Sequence, residues 1–347
     1  MTRIAILKPD HFGDLILSLP AIKKITESNA VDLIVQPGNV PLVKQLIPTA
    51  SILECDFVHL RKNNKFEGLS NNKDQFPELF KYDLVIGLRE DSVLNEKWYK
   101  TYCRYYKFVQ PDAGYLHESQ RQMVAISNYF GKYDPNQLFT EMKYEICTKL
   151  IKRKSKAQKK NSRKVQTIGL SIGSGFHSNT WSPSNWIDLA VRLIKKEYQV
   201  RIFSGVQEKH IAEFISRTVT KHTNTEVIVH VGGNDIYSFL SDVMLCKLVV
   251  AADGGTAHLC SLAAPIISIF GGSPYQRFRP LGVGNLVVTK NYVCSPCTQF
   301  SSQVINGCLG KECMDTVAPG IVENVIHSFD ANANISSIIN DCYIYTW

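Results

Sequence analysis

The run Leu248 to Phe270, LVVAADGGTAHLCSLAAPIISIF, limits the fold more tightly than any other stretch. LVVAA and PIISIF are continuous apolar runs of strand length, the pattern of parallel strands covered on both faces. The segment DGGTAHLCSLAA between them has room for a turn and a short helix, so the unit reads β-α-β. Asp253, Gly254, Gly255 and Thr256 fall where the first strand ends and the helix begins. Glycines there let the backbone approach a ligand closely, and free N–H groups at a helix start can hold an anion. On these residues alone the turn reads either as a phosphate or nucleotide cradle or as a tight turn with a helix N-cap.

The same rhythm runs through the chain. RIAILK (residues 3–8) predicts a strand that stops at Pro9, then a glycine loop at Gly13 and a helix opened by Asp14, with Pro20 kinking or dividing it. VDLIVQ, residues 51–57 and YDLVIG predict further strands, and residues 39–47 and 117–130 predict helices. KWYKTYCRYYKF (97–108) reads as a core face with snorkelling lysines, with base stacking as the alternative. After residue 165 the strands TIGLSI, 199–204 and 226–231 precede the opening unit, and Ser184 is the expected cap of the helix behind the first of them. Four strand-end turns then carry small or polar residues: Ser174, Gly205 with Glu208, Asn234, and Asp253 to Thr256. In doubly wound sheets ligands bind outside the carboxyl ends of the strands, so four such turns on one edge favour a nucleotide-type site. No GxGxxG and no GxxxxGK[ST] is present, which argues against a dinucleotide dehydrogenase or epimerase and against a P-loop NTPase.

A length of 347 residues predicts two domains, and 44% hydrophobic against 20% charged residues describes a soluble globular chain. The N-terminus lacks the pattern of a signal peptide, so a cytoplasmic protein is expected. The net charge of +8 is concentrated in residues 152–164, KRKSKAQKKNSRK, which hold eight basic residues and no acidic one. A basic interdomain linker, with contact to an anionic membrane surface as the alternative, follows; a nucleic-acid binder would spread its basic residues over a face.

Taken together, these motifs resemble the lipopolysaccharide heptosyltransferases and related glycosyltransferases. The similarity rests on Gly13-Asp14 followed by LSLPAI, on GSGFHSNTWSPSNWIDLAVRL, and above all on DGGTAHLCSLAAPIISIFGGSPYQRFRP. The resemblance implies a GT-B fold of two Rossmann-like doubly wound α/β domains facing a central cleft. Residues 1–151 would bind the acceptor, 152–164 form the linker, 165–330 bind the nucleotide sugar and 331–347 form a tail. A helix within 319–347 is expected to cross back to the first domain. The implied activity is inverting transfer of a sugar, heptose from ADP-heptose, to a lipopolysaccharide core or related glycan or lipid-linked acceptor, at the inner face of the cytoplasmic membrane. No cofactor is required for the chemistry. Asp14 matches the catalytic base. Gly13, Ser174, Asn179, Gly205, Glu208, Asn234, Asp253, Gly254, Gly255, Thr256 and His258 match donor-binding positions. Asn179 stands where the family commonly carries a lysine, a charge that His177, Arg277 or Arg279 could supply. The alternatives are a transferase for another nucleotide sugar or a protein acceptor, and a nucleotide-sugar-binding protein that has lost the chemistry.

Six of the ten cysteines are scattered and read as small core residues. Cys294, Cys297, Cys308 and Cys313, spaced x2, x10 and x4, suit a tetrahedral thiolate site for structural zinc or iron, with reduced structural thiols or a redox-labile pair as the alternatives.

Overall fold

A computed structural model describes residues 2–8, 10–55, 79–89, 96–109, 116–154, 165–233, 235–290, 292–297, 308, 310–330, 338–339 and 342–346. The chain divides into two compact units, Met1–Phe139 and Thr140–Trp347.

The first unit is built on β1 (Ile4–Lys8), α1 (Phe12–Thr26), β2 (Val31–Val35), α2 (Val40–Leu46), β3 (Ser51–Glu54), β4 (Leu84–Gly87), α3 (Glu96–Tyr102), β5 (Tyr106–Phe108) and α4 (Glu118–Phe130). Its five strands are parallel in the order β3-β2-β1-β4-β5. The central strand β1 is buried along its whole length, including Lys8. A lysine in that position has to be paired, because an isolated buried ammonium is too costly. Lys8 Nζ lies 2.6 Å from a carboxylate oxygen of Asp10, itself fully buried, and Arg89 at the end of β4 takes the other oxygen. Burial pushes the Asp10 carboxyl up, but the Lys8 and Arg89 cations outweigh it and hold the group at about 2.

Two local expectations change. The helix begins at Phe12 with His11 as N-cap, so Gly13 and Asp14 lie inside its first turn rather than before it. An acid is favourable there, against the positive end of the helix dipole. Pro20 does not divide α1, which continues to Thr26 with its apolar side buried; packing offsets the one hydrogen bond that proline removes. The aromatic segment is core: Tyr99 is buried and stacks on Phe108 at 4.9 Å and Tyr106 at 5.6 Å. The Tyr99 hydroxyl occupies the space where a side chain on Gly87 would stand.

Helix α5 (Pro135–Lys154) spans the division between the units. In the second unit follow β6 (Thr167–Ser171), α6 (Pro183–Lys195), β7 (Gln199–Ser204), α7 (Lys209–Thr223), β8 (Ile228–Val231), α8 (Ile236–Val243), β9 (Leu248–Ala252), α9 (Gly255–Ser261), β10 (Ile266–Phe270), α10 (Tyr275–Phe278), β11 (Leu286–Lys290), α11 (Glu312–Asp315), α12 (Pro319–Asp330), β12 (Ile338–Ile339) and β13 (Cys342–Thr346). The eight-stranded order is β12-β13-β11-β10-β9-β6-β7-β8, parallel except where β13 runs antiparallel to β11 and β12. The cap of α6 is Ser182, not Ser184: Pro183 takes the first helical position, and the Ser182 hydroxyl accepts from the Asn185 N–H at 3.3 Å. Helix α12 does not leave its unit. Ile321, Val322, Val325 and Ile326 join the core under the sheet, and Glu323 pairs with Arg192 of α6 at 3.3 Å. Most of the basic stretch 152–164 lies outside the described residues.

The Asp10 carboxyl titrates near 3.8 when unfolded and at about 2 when folded. Its contribution to stability is therefore present above pH 3.8 and lost as the pH falls toward 2. Asp10→Asn, which strands the Lys8 ammonium, is expected to cost about 3–5 kcal/mol near neutral pH. Urea denaturation of both proteins between pH 6 and pH 2 should show that difference shrinking toward the acid end.

Candidate active site

The best-defined group of expected site residues lies in the second unit, where the turns after β6 and β9 come together. These strands are parallel neighbours, with Ser171 opposite Ala251, so both turns emerge at the same sheet edge. They touch through backbone: a Cβ on Gly254 would stand 2.6 Å from the Gly173 carbonyl oxygen and 3.0 Å from the Ser174 Cα. Only glycine at 254 permits this approach. Side chains then fasten the pair. The Ser174 hydroxyl donates to the Asp253 carbonyl at 2.7 Å, and the Ser171 hydroxyl donates to the Thr256 hydroxyl at 2.9 Å. Gly255 and Thr256 open α9, so their N–H groups have no partner within the helix.

Glu208 comes from the turn after β7. Its carboxylate lies over Gly205, where a Cβ would be 2.7 Å from Oε2; a Cβ on Gly173 would stand 3.5 Å from the same oxygen and 3.4 Å from the Thr256 hydroxyl. Ser174, Gly205, Glu208, Gly254, Gly255 and Thr256 are all half-buried, which leaves a rim of small groups, hydroxyls and one carboxylate. His258 is buried on α9. Asn234 lies outside the described residues.

In the first unit Asp14 stands half-buried on the first turn of α1. Burial pushes its carboxyl up, and the nearby Asp10 adds to the shift, against the opposing pull of Lys8 and Arg89. A carboxylate with raised proton affinity on a partly open helix start is suited to take a proton from a hydroxyl. No described residue donates a hydrogen bond to its carboxylate.

Residues 79–306, well over half of the chain, match the model of glycosyltransferase family 9 (heptosyltransferase). The chain belongs to this family. Its fold is that of solved GT-B relatives, each about as long as this chain. A family 9 glycosyltransferase from Veillonella parvula superposes with a TM-score of 0.66 at 14% identity, over 96% of this chain and 98% of that one. E. coli heptosyltransferase WaaC with ADP gives 0.60 at 13% identity over 94% and 99%. E. coli ADP-heptose LPS heptosyltransferase II gives 0.62 at 14% identity over 95% and 99%. No curated protein matches the sequence.

At the departure from the family pattern, Asn179 of this family 9 chain is buried in its second unit. Its amide donates to the Asp253 carboxylate and to the Ser273 hydroxyl, both at 2.8 Å. It therefore joins the loop after β6 to the turns after β9 and β10 without adding charge. Of the cations considered as substitutes, His177 is exposed. The Arg277 guanidinium rests on the Phe278 ring at 4.8 Å. Arg279 is partly buried, which draws it down to about 10, and it donates to the Gln276 carbonyl.

Two of the four late cysteines, Cys297 and Cys313, lie against the turn after β10. The Cys297 N–H donates to the Gly272 carbonyl at 2.9 Å, and a Cβ on Gly271 would stand 2.9 Å from the Cys313 sulfur. Burial, reinforced by the other three thiols, pushes Cys313 up to about 11. Among the described residues no group of three or more His, Cys, Asp or Glu side chains is arranged to hold a metal ion, so the expected zinc or iron knuckle gains no support.

Sequence reasoning missed the residues that steady these loops. Lys311 Nζ donates to the Thr180 carbonyl, and Asp315 Oδ1 accepts from the Ser182 N–H, so α11 clasps the segment after Asn179 from both sides. Nothing in local periodicity marks contacts across more than a hundred residues. Ser273 lay inside the quoted GGSP turn and could have been singled out as a hydroxyl between two strand ends.

The Gly254 contact is directly testable. Gly254→Ala, which drives a methyl into the Gly173–Ser174 backbone, is expected to cost about 1–3 kcal/mol. Gly175→Ala, at a position with open space, should leave the urea midpoint unchanged, and comparison of the two denaturation curves decides.

Proposed function

We propose that this family 9 glycosyltransferase moves heptose from ADP-heptose, with inversion, onto a glycan or lipid-linked acceptor of lipopolysaccharide-core type. The observation that carries the reading is the backbone contact of Gly173 and Gly254, rimmed by Ser174, Thr256 and Glu208. It leaves N–H groups and hydroxyls, rather than bulky side chains, at the carboxyl edge of a parallel sheet. WaaC was solved with ADP and with ADP-2-deoxy-2-fluoro heptose, which supports an adenosine diphosphate donor.

In this scheme residues 165–330 hold the donor and residues 1–151 the acceptor. The Asp14 carboxylate takes the proton of the acceptor hydroxyl as its oxygen bonds to the anomeric carbon. The bond from that carbon to the β-phosphate oxygen breaks, and ADP leaves with the electron pair. The N–H groups of Gly255 and Thr256, with the Ser174 and Thr256 hydroxyls, stabilise the negative charge that develops on the diphosphate. Glu208 accepts from the ribose hydroxyls. No cofactor takes part, and the four cysteines have no role in the chemistry. The reaction is placed in the cytoplasm, at the inner membrane surface, with the basic segment 152–164 as the contact to anionic lipid. No described helix is long and apolar enough to cross a membrane.

Asn179 favours a second reading, a protein that binds a nucleotide sugar and has lost transfer, because no lysine offsets the diphosphate charge at that position. Two measurements separate the readings. Thermal shift with ADP-, UDP- and GDP-sugars should show stabilisation by the ADP-sugars alone, and no response to any of them defeats both readings. Asp14→Asn should reduce transfer by about 100-fold or more while ADP still binds. Unchanged turnover would remove Asp14 from the role of base, and an ADP-heptose-binding wild type without turnover would leave the binding protein.

A further inference from the structure

In the first unit the amino ends of β1, β2 and β3, with the residue just before β4 and its neighbours, line one cavity of about 280 Å3. Its apolar wall is Ile4 and Val31, opposite each other in register, and the buried ring of Tyr82. The Tyr82 hydroxyl donates to Asp32 Oδ2 at 2.6 Å, and Asp32 stands beside Ser51 in the β2–β3 pair. The Arg3 guanidinium lies over the Tyr82 ring at 5.7 Å, and the Lys81 ammonium approaches the same ring at 5.2 Å. The backbone at Arg3 is held as well: its N–H donates to the Asp83 carboxylate at 2.7 Å, and its carbonyl accepts from the Asp83 N–H at 2.9 Å. Among the described residues nothing accepts a hydrogen bond from the Arg3 guanidinium, and nothing donates to Asp32 Oδ1.

We propose that this cavity binds a small phosphorylated sugar, its phosphate on the Arg3 guanidinium and its hydroxyls on Asp32, Thr49 and Ser51. A guanidinium offers a planar fork of N–H donors that matches phosphate oxygens. A carboxylate only accepts, so Asp32 selects a hydroxyl donor and turns a second anion away, while the Thr49 and Ser51 hydroxyls both donate and accept. Ile4, Val31 and the Tyr82 ring leave an apolar surface for the C–H face of a sugar ring. The volume is at the small end for a ligand site, which suits one sugar ring rather than a nucleotide sugar. An amino-acid zwitterion would also meet Arg3 and Asp32, but it would leave both hydroxyls without a partner. The cavity and Asp14 lie toward opposite ends of β1, whose first and last residues are about 13 Å apart. The proposal is therefore independent of the roles given to Asp14 and to the turns after β6 and β9.

Calorimetric titration of the full chain with glucose 6-phosphate, mannose 1-phosphate, glucose, inorganic phosphate and serine tests the proposal. One of the two sugar phosphates should bind at least about tenfold more tightly than glucose, phosphate or serine. Arg3 is exposed, so Arg3→Gln keeps the fold and should weaken that binding by about tenfold or more. Asp32→Asn should weaken it by a similar factor, and Ser51→Ala, at an exposed strand start, does the same duty if Asp32→Asn unfolds. Thr256→Ala, in the second unit, should bind the sugar phosphate as the wild type does. The proposal is overturned if neither sugar phosphate binds up to about 10 mM, or if glucose, phosphate or serine binds as tightly. Unchanged affinity in Arg3→Gln, or in both Asp32→Asn and Ser51→Ala, also overturns it. Loss of binding in Thr256→Ala with Arg3→Gln unaffected would assign the sugar phosphate to the donor turns and overturn it too.

Discussion

The contact between the backbones of Gly173 and Gly254 is the constraint on which the second unit's site depends. Neighbouring parallel strands stand about 4.8 Å apart, so the turn that follows β9 can meet the backbone of the turn after β6 only if it carries no side chain at the point of approach. Glycine at 254 meets that requirement, because a Cβ there would run into the Gly173 carbonyl and the Ser174 Cα, and the hydroxyls of Ser171, Ser174 and Thr256 then fasten one turn to the other. Glu208 enters over Gly205 for the same reason, since a Cβ there would displace its carboxylate.

The two units handle polarity in opposite ways. In the first, the buried Lys8 and Asp10 are paired, and the partly exposed Arg89 takes the other Asp10 oxygen. In the second, Asp253, Asn179 and Ser273 form a hydrogen-bonded chain in which the only charge is the Asp253 carboxylate. A family lysine at position 179 would add a cation to this chain. Here a neutral amide braces three strand-end loops and adds no charge to them.

Much of the fold could be read from local pattern. The apolar runs of β1, β6, β9 and β10 announced parallel strands, and the glycine turns announced where those strands end. The errors fell where a long-range contact overrode a local rule. Pro20 was expected to kink or divide α1, and the helix runs undivided to Thr26 with its apolar side buried. Ser184 looked like a cap until Pro183 moved the cap to Ser182. The β12–β13 hairpin that completes the eight-stranded sheet carried no signal, because an antiparallel edge contributed from the end of the chain depends on β11 being free to receive it. The cysteine spacing suggested a metal, for which the described residues give no support; Cys313 and Cys297 lie against Gly271 and Gly272.

By itself the sequence determined the class of the protein: alternating strands and helices, glycines at strand ends, and a Gly-Asp pair at the first helix, all properties of residues close together along the chain. Only the tertiary structure decided how those residues are tuned. Burial and the neighbouring Asp10 push the Asp14 carboxyl up, Glu118 adds to the shift and Lys8 and Arg89 oppose it, and those groups lie up to about a hundred positions apart in sequence. Electrostatic energy depends on distance through space and on access to water, and neither quantity exists until the sheet has brought the strand ends together.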